Sequence, residues 1–92
     1  DIYLQRIPEV FREVEMALKN NEVKQIIVLL HSIKPMIASV GLRNCEQKIS
    51  EIESQRESIK KNKLMPVILQ IRKQCLEMVD KLNQWKQKNK ID

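Results

Sequence analysis

The chain has 92 residues, enough for one small domain, and a formal net charge of +5. A single glycine and 3% aromatic residues argue against a turn-rich β architecture. No apolar run approaches the ~20 residues that span a bilayer, no secretory pattern opens the chain, and one histidine with two separated cysteines falls short of a zinc site or a disulfide framework.

The positive charge suits an acidic partner, which could be nucleic acid, anionic lipid or an acidic protein surface. Cys45 and Cys75 read as small buried thiols in a reducing compartment. The first residue is Asp1, not Met, which reads as a domain boundary and leaves a larger parent protein open.

Four amphipathic helices are predicted, at about 2–19, 22–40, 43–60 and 64–88. In the first, Ile7, Phe11, Val14 and Leu18 share a face, with Tyr3, Val10 and Ala17 beside them. Pro8 falls early enough to sit in a first turn or to bend the helix. Asn20 and Asn21 form the break, and Asn21 is expected to cap the second helix. Gly41 stands where a helix places its left-handed terminal residue.

The third stripe is Leu42, Cys45, Ile49, Ile52 and Ile59, and Asn44 to Gln47 resembles a capping box. The fourth is Leu64, Ile68, Ile71, Cys75, Met78, Leu82 and Trp85, a sustained alternation of four and three that reads as a bundle seam. Pro66 is placed in its first turn, and the polar tail 86–92 is expected to fray. Short connections favour an all-α, antiparallel up-down-up-down four-helix bundle forming a single domain over 1–92.

The second helix carries the only histidine. At about 100° per residue, Ile26, Leu29, Ile33, Met36, Ile37 and Val40 cluster opposite His31, so the imidazole faces away from the core. Its own face carries Lys24, Ile27, Val28, Lys34, Pro35 and Ala38. That is an apolar collar with positive charge, the pattern of a docking surface around a reactive group, although Ile27 and Val28 also fit the shoulders of a wide core stripe. Pro35 removes the helical hydrogen bond to the His31 carbonyl, a loss of about 3 kcal/mol in a helix interior. It also places no long side chain beside the imidazole.

The run His31, Ser32, Ile33, Lys34, Pro35, with Gly41 ten residues after the histidine, resembles the signature of the histidine-containing phosphotransfer (HPt) domain. Ile52 and Glu53 match the aliphatic-Glu or aliphatic-Gln pair of the next helix in that family, and the order and lengths of the helices fit from Ile7 to Trp85. Pro35 departs from the pattern, which has glycine there as clearance for the incoming partner. The resemblance implies a phosphorelay intermediate. His31 would take a phosphoryl group from the aspartyl phosphate of a response-regulator receiver domain and pass it to a second receiver.

Under that resemblance Lys34 balances the charge of the phosphoryl oxygens. Ile27, Val28, Pro35 and Ala38 form the apolar dock, and Lys24 steers an acidic partner. Glu53 either orients the imidazole from the third helix or is a solvated carboxylate. No nucleotide-binding loop is present, so the domain would carry a phosphoryl group without making one from ATP. No cofactor is expected on this chain, and any Mg²⁺ would sit on the receiver. A monomeric cytoplasmic domain is expected, standing alone or ending a membrane-bound hybrid sensor kinase, with no contact to nucleic acid or membrane. The rival readings are a non-catalytic helical adaptor, a nucleic-acid binder without aromatic interleaving, and an enzyme with turnover, for which no triad or metal site is seen.

Overall fold

The computed structural model describes residues 2–88. Four helices follow one another: α1 (Ile2–Lys19), α2 (Val23–Ser39), α3 (Arg43–Ser54) and α4 (Lys61–Lys88). Helix α1 packs on α2 and α4, α2 also packs on α3, and α3 closes on α4. Paired residues show the antiparallel sense. Between α3 and α4, Lys48 meets Gln70 and Cys45 meets Gln74, so one number rises as the other falls. The fold is the expected up-down-up-down bundle, elongated at 51 × 24 × 18 Å.

Two of the three connections are tight turns of three residues each. At the end of α1, Asn21 takes a positive φ of 57°. The Glu22 N–H donates to the Ala17 carbonyl at 2.9 Å and the Asn21 N–H to Leu18 at 3.2 Å. At the end of α2, Gly41 has φ 82°, with the Leu42 N–H on Ile37 and the Gly41 N–H on Ala38. Both are Schellman stops, in which a left-handed residue turns the chain back and satisfies the last carbonyls. Asn21 therefore closes α1 and does not cap α2; its side-chain oxygen accepts from Lys61 Nζ at 2.8 Å. The predicted capping box also fails, because Leu42 holds the N-cap of α3 and Asn44 lies inside the helix.

The third connection is longer than the expected one and begins earlier. Helix α3 stops at Ser54, and 55–58 form turns. No apolar residue lies between Ile52 and Ile59 to hold a helix on the core, and the Ser54 and Ser58 hydroxyls bond backbone carbonyls three residues back. Helix α4 starts at Lys61, a turn before its first apolar stripe residue, so Pro66 is its sixth residue and not part of the first turn. Residues 86–88 are helical, and the rest of the tail expected to fray, 89–92, lies outside the described residues.

The core is all apolar among the described residues. Ile7, Ile26, Leu30, Ile33, Ile37, Ile49, Leu64 and Ile71 have no exposed surface. Trp85, expected in the core, is 65% exposed. At about 1.5 Å per residue the 28 residues of α4 run about 42 Å, against about 27 Å for the 18 of α1. The apolar stripe continues beyond the last turn that a neighbouring helix covers. Met36, also read as core, is half-buried against it.

Candidate functional site

The tight turn at Gly41 sets α2 and α3 side by side in opposite directions. His31 lies ten residues before the turn and Glu53 twelve after it, so the two meet at one level of the hairpin. Ile52 points into the core, which turns the neighbouring Glu53 toward the surface. His31 sits on the outer face of α2 with its side chain 69% exposed, while that of Glu53 is 24% exposed.

The Glu53 carboxylate bridges two side chains of α2. Its Oε2 lies 2.5 Å from His31 Nδ1. Its Oε1 accepts from Lys34 Nζ at 2.7 Å. His31 Nε2 has no hydrogen-bond partner among the described residues. The Lys34 hydrogen bond, aided by His31, holds the Glu53 carboxyl below the usual carboxylate range against an upward push from burial. The group is therefore an ionised acceptor around neutral pH.

That shift has a sign in stability. Glu53 gives up a proton more readily in the folded chain than in the unfolded one. Its contribution is fully present above the unfolded value of about 4.3 and is lost as pH falls through the lower folded value. Urea unfolding followed from pH about 6 down to about 3 should show a midpoint that falls more steeply for the wild type than for Glu53→Gln. Parallel curves would remove Glu53 from the acid sensitivity.

The remaining predicted residues divide. Lys24 and Pro35 are exposed, Val28 is 60% exposed, and Ala38 is half-buried. Ile27 is only 7% exposed and belongs to the core, not to the exposed collar. Helix α2 packs between α1 and α3, so its buried arc is wider than one stripe and takes in both Ile27 and Leu30. Helix α2 continues through Pro35 to Ser39. The early end of α3 brings Arg56 and Glu57 beside Lys24, Ile27 and Val28. Nothing in the local pattern singled out those two, which were placed in the interior of a longer helix.

The cysteines take no part. Both are buried, and burial pushes the Cys75 thiol up to about 12 and raises that of Cys45 as well. Thiols of this kind are poor nucleophiles. The described residues hold no group of three or more metal-ligating side chains, and no helix among them is long and apolar enough to cross a membrane. Compared with known proteins, the chain matches no family model, no curated protein and no solved structure.

Proposed function

We propose that this protein is a phosphorelay intermediate of the HPt kind, a histidine phosphocarrier that takes a phosphoryl group from one receiver domain and gives it to another. The observation that carries the reading is the grip of an ionised Glu53 on Nδ1 of an exposed His31. An ionised carboxylate only accepts hydrogen bonds, so it favours the ring form with the proton on Nδ1. The lone pair then lies on Nε2, the nitrogen left without a partner.

Transfer follows from that arrangement. Nε2 attacks the phosphorus of an aspartyl phosphate in line. The Nε2–P bond forms, the P–O bond to the aspartate breaks, and the aspartate carboxylate leaves with the electron pair. The ring becomes cationic as it is phosphorylated, and the Glu53 carboxylate offsets that charge. Lys34 has three N–H donors and uses one on Glu53, so it can also meet a phosphoryl oxygen. The second transfer reverses these steps. Any Mg²⁺ belongs to the receiver, and ATP is not a substrate. Such a carrier works in the cytoplasm, alone or as the last domain of a sensor kinase.

The test is to incubate the protein with phosphorylated receiver domains and characterise the product. A label on His31 that is stable to alkali and lost in acid supports the reading. Label on another residue, or none from any receiver of the parent organism, sinks it in favour of a helical adaptor, which needs no histidine chemistry.

Glu53 is a positioning residue in this scheme. Glu53→Leu should slow transfer about 10²-fold, because an apolar side chain accepts nothing from Nδ1–H and no longer selects the ring form. Nitrogen-15 NMR of the imidazole separates this from a structural effect: the neutral ring should carry its proton on Nδ1 in the wild type and share it between the two nitrogens in the variant. A slower variant with the same ring form as the wild type would make Glu53 merely structural.

A further inference from the structure

A notch of about 230 Å³ opens between the first turns of α2 and the turn that follows α3, lined by Lys24, Ile27, Val28, Arg56 and Glu57. Its volume is below the roughly 300 Å³ at which small-molecule pockets begin, so it suits a protein side chain better than a cofactor. Ile27 is nearly covered, while Val28 is 60% exposed. Charge gathers at the rim. Lys24 has no partner among the described residues, and Arg56 meets only its neighbour Glu57, at 3.8 Å and well exposed. Two cations against one carboxylate leave the rim positive by one.

The notch is continuous with the histidine site. Lys24, Val28 and His31 lie four and three residues apart, on one side of α2, and at about 1.5 Å per residue they span about 10 Å. Arg56 follows three residues after Glu53, whose carboxylate grips His31. A domain seated over the imidazole would also cover this notch.

We propose that the notch is the partner-selecting contact, which takes an aliphatic side chain flanked by carboxylates on the receiver domain docked over His31. The inference rests on the phosphocarrier reading and extends it: His31 does the chemistry, and Arg56 with Lys24 decides which receiver stays long enough to react. Apolar contact to Val28 gives the seat, and the two cations steer and align an acidic rim.

The experiment compares two donors on the whole chain. One is a phosphorylated receiver domain, taken in turn from those of the parent organism. The other is phosphoramidate, which delivers its phosphoryl group to an imidazole nitrogen with loss of ammonia and docks nowhere. Arg56→Glu, in an exposed turn, should slow transfer from the receiver about tenfold at low ionic strength, with the deficit shrinking as salt is added. Arg56→Lys should restore most of the rate. Phosphoramidate labelling of each variant reports whether His31 is still reactive. An unchanged receiver rate for Arg56→Glu overturns the notch and leaves the phosphocarrier reading standing. Labelling of the wild type by phosphoramidate but by no receiver, or by neither donor, overturns both.

Discussion

His31→Gln should give a folded bundle that accepts no phosphoryl group from any donor. The side chain lies on the outer face of α2 and contributes nothing to the core. Its contact with Glu53 is of the exposed kind, and such pairs contribute about 0–1 kcal/mol. Thermal unfolding should therefore move by no more than about 4–8 °C for a domain of this size. The chemistry should vanish, because an amide nitrogen has its lone pair committed to the carbonyl and does not attack phosphorus. Circular dichroism melts and a label-transfer assay on the same preparations check both halves. Label retained by the glutamine variant would place the acceptor elsewhere and end the argument for His31.

Leu30→Ala should do the reverse. Leu30 precedes His31 in the chain but points into the core with no exposed surface. Truncating a buried leucine to alanine costs about 2–5 kcal/mol, from lost transfer energy and the cavity left behind. Small domains have about 5–15 kcal/mol in total, so a large share of the stability should go. The urea midpoint should fall with an unchanged slope. The folded fraction should still transfer label at the wild-type rate, since no atom of the His31–Glu53–Lys34 group is touched. A variant that unfolds normally but transfers slowly would mean that packing under α2 sets the geometry of the imidazole.

Much of this molecule was legible before its structure. The four apolar stripes specify four helices, and the only glycine marks the end of the second. The errors share a physical cause. A helical wheel assumes one covered face, but α2 is covered from two sides, so Ile27 and Leu30 are buried beyond the expected arc. Periodicity also says where an apolar face runs without saying where its cover stops, which is why Trp85 was misplaced. Lys61 to Lys63 carry no apolar signal, so the first turn of α4 was invisible. At the site, His31 and Lys34 share one helix and could be paired from spacing. Glu53 comes from another helix, and only the family resemblance pointed to it. Arg56 had no signal of any kind, because its place depends on where α3 ends.

The two left-handed stops at Asn21 and Gly41 also bear on how the chain finds its fold. They make sequence neighbours into spatial neighbours, so α1 with α2, and α2 with α3, need close only short loops. Helical bundles with such local wiring fold in microseconds to milliseconds. Only the meeting of α1 with α4 must bring distant parts of the chain together, and its loop-closure entropy is the largest. The His31–Glu53 pair spans 22 residues and lies within a single hairpin. Its geometry is thus expected to be among the early arrivals on the folding pathway, set by α2 and α3 before the last helix seals the bundle.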